Sequence, residues 1–415
     1  MEPVFERQRA TLLMEQQGMD LLLGIGSHNV CYLSGYWVQS QYAEFLVDGE
    51  PNFVLAALPK DPDHASLFIA HVAAKVANWM EEQRYYGRSP HLESLAPGIY
   101  HFLSDLEKDT TLAECLATAL SELGLPAATI GLDLDHTPVK LFQELRDALP
   151  QATFVDASSL FWRLRMVKSE EEIKRIRKAA RVGELAIQAA FDVAQEGVRW
   201  GALWDAIEQT YEQEGAEHAF IHLGFGPKAR QDGAEWEYEY VQSGCYLPKE
   251  TGIARDKRLL RGDVGRIDLG CFVEKPYHCD LARVAVVGEA TDEMNRVYAA
   301  MVESYRRIAA AIKPGVEAAQ LFHIGYRPLA DAGLQPTVVL LGHGLGVDTH
   351  EPPWLLPTDH TPLQAGMVLT IEVVVYTDQL WSMNLEDMVL VTEEGCEFLT
   401  TWGHIDGLPQ MVVMS

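Results

Sequence analysis

The sequence predicts two domains, an α/β domain over residues 1–160 and an α+β domain over residues 161–415. Three observations predict this. The chain of 415 residues is longer than one ordinary domain. Short apolar runs alternate with amphipathic stretches as far as about residue 160. Beyond that point helices come in pairs, each pair followed by strand-rich sequence. With 48% apolar and 22% charged residues the composition is that of a globular protein with a core of good size.

In the first domain Phe5 to Gln17 has helical spacing, and Asp20-Leu21-Leu22-Leu23-Gly24-Ile25 is a buried strand. Glu44–Val47 and Phe53–Ala56 form a predicted hairpin around Asp48-Gly49. Thr129–Asp133 is a strand that leads into a helix near Val139–Leu149, with another strand at Thr153–Val155. A basic, strand-like stretch, Leu164 to Lys168, connects to the second domain. There Ser169 with Glu172 makes a capping box for a helix that runs to Gly197. A helix from about Ala202 to Glu214 stops at Gly215. A third begins near Asp292 and ends at Pro314-Gly315. In each pair a leucine follows the glycine by six residues (Gly197 and Leu203, Gly315 and Leu321), a weak internal repeat. Two such halves would place ligands between their sheets.

Sixty acidic against 33 basic residues give a formal charge of −27. Such a surface repels phosphate backbones and anionic lipid, so nucleic acid and membrane partners are not expected. No apolar run approaches the roughly 20 residues that span a bilayer. Met1 to Arg7 lacks the basic-then-apolar layout of a signal peptide, so the expected location is the cytoplasm. The six cysteines include no C-x-x-C pair and read as reduced and packed, Cys279 beside Asp280 included.

Five segments of the second domain place ionisable residues in apolar strands or at their ends. Asp268 lies in Val264–Gly270, Asp280 in Cys279–Val286, Glu372 in Met367–Tyr376 and Glu386 in Leu385–Val391. His343 sits among glycines in Gly342-His343-Gly344-Leu345-Gly346, where a backbone can approach a ligand closely. Any one such carboxylate is ordinarily solvated or caps a turn; at the neighbours Glu386 and Asp387 alternation buries only one. Four of them with a histidine call for a strong positive charge, because buried ionised carboxylates are costly unless paired or bound to metal. Two divalent ions sharing bridging carboxylates satisfy the set better than one. Oxygen donors with one imidazole suit Mn²⁺, Fe²⁺, Co²⁺ or Zn²⁺.

From Arg163 to Thr401 the sequence resembles the pita-bread fold shared by methionine aminopeptidase, aminopeptidase P, prolidase and creatinase. Its most specific element is Gly342 to Pro353, including His350-Glu351-Pro352-Pro353. The first domain resembles the creatinase/prolidase N-terminal domain, best at Asn29 to Tyr36. The resemblance implies metal ligands at Asp268, Asp280, His343, Glu372 and Glu386, two divalent ions with Mn²⁺ foremost, and a metal-dependent hydrolase of small amides or Xaa-Pro peptides. It implies that His350 assists at the reacting carbonyl and that Glu372 shuttles a proton. A homodimer follows by analogy alone.

The sequence also departs from the peptidases. No histidine stands in Leu247 to Ile253, about seventeen residues before the first metal Asp, where they carry one; His218 or His222 could take its place in space. Asp268 and Asp280 are separated by one residue more than usual, which points to a bulge. Val373 replaces a proline and Asn384 an arginine. His222, Trp354 and Asn384 are the candidate substrate contacts. Trp236, Tyr238, Tyr240, Trp354, Trp381 and Trp402 form either a cage for a cationic substrate or ordinary core. Two further readings stay open: a dimethylsulfoniopropionate-lyase-like or creatinase-like enzyme of a zwitterionic metabolite, and a binding module. The lyase carries an extra Asp where this chain has Gly270.

Overall fold

The computed structural model describes residues 3–36, 46–47, 50–51, 54–71, 78–87, 111–226, 256–274, 276–336, 339–375 and 383–415, without the side chains of 46–47, 50–51 and 218. The chain divides into two compact units, Met1–Arg165 and Met166–Ser415. Among the described residues no helix is long and apolar enough to cross a membrane.

The first unit opens with helix α1 (Arg7–Gln16) and the fully buried strand β1 (Leu21–Gly24), followed by α2 (Ser27–Ser34). A short ladder joins β2 (Leu46–Val47) to β3 (Glu50–Pro51). The predicted turn Asp48-Gly49 and Phe53 lie outside the described residues. The sheet is completed by β4 (Leu55–Pro59), β5 (Leu67–His71), β6 (Glu82–Tyr86), β7 (Thr129–Leu132) and β8 (Thr153–Asp156), in the order β6-β5-β4-β1-β7-β8. Its all-apolar central strand β1 runs parallel to β7 and antiparallel to β4, as a strand covered on both faces should. Helices α3 (Leu112–Glu122) and α4 (Val139–Ala148) bury Leu116, Leu120, Leu141 and Leu145 in the same core. The expected linker strand is corrected: residues through Met166 form helix α5 (Ser158–Met166), because Leu160, Phe161 and Leu164 make a buried helical stripe. Of the expected strand only an isolated antiparallel bridge from Val167 to Met367 is found.

In the second unit α6 (Glu170–Val193) starts at the predicted Ser169–Glu172 capping box. It stops four residues short of Gly197, and Gly197 serves a later turn at φ +83°. Helix α7 (Trp200–Glu214) ends at Gly215 in the left-handed region, which favours glycine. Strands β9 (Glu217–Phe225), β10 (Val264–Phe272) and β11 (Leu281–Val287) follow. Helices α8 (Asp292–Ala311) and α9 (Ala318–Asp331) open the second half, which continues with β12 (His343–Gly344), β13 (Glu351–Trp354), β14 (Val368–Val375) and β15 (Met383–Val391). The chain closes with β16 (Cys396–Phe398), β17 (His404–Ile405), β18 (Leu408–Pro409) and β19 (Val412–Met414).

The two halves do not keep separate sheets. Their strands join in the order β13-β12-β14-β15-β11-β10-β9, with β16 on β15 and β19 on β11. The seam between them is β11 against β15, where Ala282 faces Glu386. Every residue of β10, β11 and β15 is buried. Gly183 of α6 is needed for close approach, since a Cβ there would lie 2.7 Å from Leu281 and 2.8 Å from the Cys279 sulfur.

Candidate metal centre

All five expected ligands converge at this seam. Asp268 comes from β10, Asp280 from the residue before β11, His343 from β12, Glu372 from β14 and Glu386 from β15. Glu372 and Glu386 are direct register partners, and Asp268 and Glu386 flank Ala282 from its two sides. Like charges opposed across a ladder repel, and a cation between them would relieve that repulsion. Donor atoms of His343, Glu372 and Glu386 lie within 4.8 Å of one another, as do those of Asp268, Asp280 and Glu386. Glu386 belongs to both groups.

The donor chemistry fits divalent ions. His343 is fully buried, and its Nδ1–H donates to the Gly344 carbonyl at 3.0 Å. A carbonyl only accepts, so the proton is on Nδ1 and Nε2 presents a lone pair. That lone pair faces carboxylate oxygens of Glu386 at 3.5 Å, Asp280 at 3.7 Å and Glu372 at 3.8 Å. His343 Nε2, Asp280 Oδ1 and Glu386 Oε1 are buried without a hydrogen-bond partner. Burial, then the neighbouring carboxylates, push the Asp280 and Glu386 pKa values well above the ordinary range. Burial lowers that of His343 and keeps the imidazole neutral. Converging acceptors without a donor are what a cation reconciles.

Asp268 is treated differently. Burial raises its pKa, but His222 and Arg266 outweigh burial and the net shift is downward. His222, its register partner on β9, brings Nδ1 to 3.3 Å from Asp268 Oδ2, and Arg266 Nη2 is 3.7 Å from the same oxygen. Arg266 was not expected here, although its place two residues before Asp268 puts both on one face of β10. Asn384, expected at the substrate, is fully buried; its amide donates to Asp268 Oδ2 at 3.3 Å and to Glu372 Oε1 at 3.1 Å.

The His350 ring lies against that of His343, 4.4 Å between centroids and tilted by 48°, and reaches the Asp280–His343 group. Although part of His350 meets solvent, packing of its ring and then the neighbouring His343 push its pKa down to about 4. Glu372 is half-buried rather than enclosed. Trp354 lies 6.3 Å from the His343 ring. Trp402 is remote in role, stacked on Phe191 with its carbonyl accepting from Arg283. Trp236, Tyr238, Tyr240, Trp381, residues 247–253 and the His218 side chain lie outside the described residues. The bulge expected in the hairpin of Asp268 and Asp280 is not found, since the β10–β11 ladder stays regular; the register shift at Gly270/Cys271 lies against β9 instead.

One expectation is overturned. Asp387 is as buried as Glu386. Its Oδ1 accepts from Arg283 and from Thr400, both at 2.7 Å, and Oδ2 meets Tyr305 at 2.8 Å and His404 at 2.9 Å. Alternation buries only one neighbour when one face of a sheet is wet, and both faces of β15 are covered.

Fold and donor set define a class: a two-domain metalloenzyme whose candidate cation-binding residues lie at the middle of a nine-stranded sheet. Residues 174–393 match the model of metallopeptidase family M24, and residues 7–167 that of the creatinase/prolidase N-terminal domain. The chain is 32% identical over 276 residues to an Xaa-Pro dipeptidase of Pyrococcus furiosus, spanning 66% of this chain and 73% of the relative. It is 31% identical over 271 residues to an uncharacterised peptidase of Staphylococcus aureus, spanning 65% and 72%. Two solved structures share the fold: a dipeptidase from Mycobacterium ulcerans (24% identity, TM-score 0.70, 98% and 96% covered) and an X-Pro aminopeptidase from Thermotoga maritima (22%, 0.69, 99% of each). The chain belongs to metallopeptidase family M24, with the pita-bread fold, and is a hydrolase dependent on divalent metal ions.

Proposed function

We propose that this enzyme cleaves Xaa-Pro peptides with a dinuclear centre held by Asp268, Asp280, His343, Glu372 and Glu386, with Mn²⁺ resident. The observation that carries the reading is the pair of donor groups sharing Glu386, their buried lone pairs aimed at common points. The relatives named as Xaa-Pro dipeptidases support the substrate class. When bound, the ions supply Lewis acidity toward the substrate carbonyl and lower the pKa of water at the centre. Neutral His350, at the open side, donates a hydrogen bond to the oxygen that gains charge at the reacting carbonyl. Glu372, reaching the edge of the site, takes the proton from the attacking water and delivers it to the leaving nitrogen. His222 and Trp354 border the substrate. The catalytic unit is residues 161–415; a cytoplasmic homodimer belongs to the same proposal by analogy.

Gly270 speaks against the lyase alternative. A Cβ there would lie 2.5 Å from the Phe220 ring and 2.7 Å from the Cys279 carbonyl, which leaves no room for an additional Asp. The test is amine release from Xaa-Pro dipeptides and tripeptides by the Mn²⁺-loaded protein. Turnover that stops on chelation is expected. Silence from protein holding two ions would overturn the peptidase assignment.

A further inference from the structure

Just before α6 a lysine is fully enclosed, and nothing in the proposed reaction uses it. Lys168 Nζ lies 3.5 Å from Glu351 Oε2, with side-chain exposures of 1% and 0%. It also donates to the Met166 carbonyl at 3.2 Å, and its backbone N–H donates to the Gly366 carbonyl at 2.9 Å. Glu351 directly follows His350. Its Oε1 accepts from the Asp348 backbone N–H at 2.9 Å, and Asp348 in turn accepts from the Gly346 N–H at 2.9 Å. The loop wraps closely around the ion pair: a Cβ on Gly346 would lie 3.0 Å from Lys168 Cε and 3.2 Å from Glu351 Oε2.

A second buried carboxylate extends the arrangement toward Asp280. Glu172 Oε2 accepts from the Ser169 N–H at 2.8 Å, and Oε1 accepts from the Tyr277 hydroxyl at 3.1 Å. The next residue, His278, donates its backbone N–H to the Gly346 carbonyl at 2.9 Å, two positions before Asp280. Residues 168–172 thus hold both the turn leading to Asp280 and the loop from His343 to His350. Apolar side chains of similar volume would fill this space at no loss of stability. What they would not supply is a fixed register for the loop.

We propose that Lys168 and Glu351 are positioning residues, a buried ion pair that sets the His350 ring against His343 and so against the reacting carbonyl. The proposal rests on the role given to His350 above. It acts through geometry, since neither residue belongs to the groups of converging donor atoms.

The test compares Lys168→Met, Glu351→Gln, Lys168→Arg and His350→Ala in the full-length metal-loaded protein on an Xaa-Pro dipeptide. Metal content, thermal midpoint, kcat and KM are measured for each. Loss of about 10- to 100-fold in kcat is expected for Lys168→Met and Glu351→Gln, the cost of a misplacement of roughly 1 Å. KM and metal content stay near the parent values, and Lys168→Arg recovers most of the loss. The decisive variant combines Lys168→Met with His350→Ala. If Lys168 acts through His350, the double variant is no slower than His350→Ala alone. Amide hydrogen exchange over 344–351 gives a readout without turnover and is expected to accelerate in Glu351→Gln, which also serves if Lys168→Met does not fold. Folded Lys168→Met with parental kcat beside an impaired His350→Ala, or losses that multiply in the double variant, would overturn the positioning. A fully active His350→Ala would instead withdraw the role of His350, and this proposal with it.

Discussion

Glu386 and Asp387 are neighbours on β15, both cut off from solvent, yet the protein meets their burial in opposite ways. Asp387 faces a complete set of partners: Arg283, Thr400, Tyr305 and His404. Burial is the largest single influence and raises its pKa, but Arg283 and His404 together outweigh it and the net shift is downward. Glu386 faces Glu372, Asp268 and Asp280, with an imidazole lone pair in place of a cation. One side of the strand is satisfied by the chain itself, and the other leaves charge that the proposed ions would complete. The difference shows what separates a structural ion pair from a metal site: not burial, and not carboxylate count, but whether the charge is completed from within.

The largest effect should come from Glu386. Glu386→Gln or chelation is expected to remove bound metal and lower turnover by at least ~10³-fold, several kcal/mol of transition-state stabilisation. Metal analysis after gel filtration beside the peptide assay checks it; full occupancy in Glu386→Gln would rule this donor out. On the other side of the strand, Arg283→Met leaves Asp387 charged and enclosed, and should cost about 3–5 kcal/mol in urea unfolding. The double variant Arg283→Met with Asp387→Leu should recover much of that loss. A double variant worse than either single would mean that the network contributes more than charge compensation.

Glu172 sharpens the comparison by a third solution, a proton. Burial pushes its pKa from 4.5 up to about 7, against lowering by Ser169 and Lys168. Between those two pH values the folded state holds the proton more firmly than the unfolded state does. Its contribution is therefore complete below about pH 4.5 and lost as pH rises through about 7. At about 1.4 kcal/mol per unit this amounts to roughly 3 kcal/mol. Glu172→Gln, which mimics the protonated form, should gain on the parent by up to that amount as pH rises, with both proteins metal-free. A constant difference from pH 4.5 to 8 would show that Glu172 ionises normally. The smallest change concerns Asn384, which braces two donors with one amide. Asn384→Ala should weaken metal affinity by about 10- to 100-fold, the usual cost of losing a group that orients ligands. Calorimetric titration of the metal-free protein measures it directly.

The convergence of these five residues was legible because Asp268, Glu372 and Glu386 interrupt apolar strands, Asp280 opens one and His343 sits among glycines, and four such carboxylates with a histidine are hard to bury together without a cation. Strand alternation failed at Asp387, where it presumes a solvated face that β15 lacks. It also gave the wrong form for Leu164 to Lys168, whose apolar residues satisfy helical spacing equally well. The pairing of Lys168 with Glu351 was out of reach, because no local pattern joins residues so far apart in the chain. Asn384 and His222 were singled out, but only the ladder registers show that both bear on Asp268. Substitution of a family arginine by Asn384 identified an altered position without telling what it touches.

The seam has a consequence in time. Asp268 and Asp280 belong to one local hairpin, and Glu372 and Glu386 to another, each able to form from nearby chain. Arg283 and Asp387, which meet across the seam, are separated by 104 residues. Contacts that span long stretches of chain come late, because closing the intervening loop costs entropy before any contact repays it. A nascent molecule thus holds two half-sites of like charge that repel until the halves dock. On the proposed ligand set, cation capture would be the last act of assembly, and the ion would close the sheet as well as arm it.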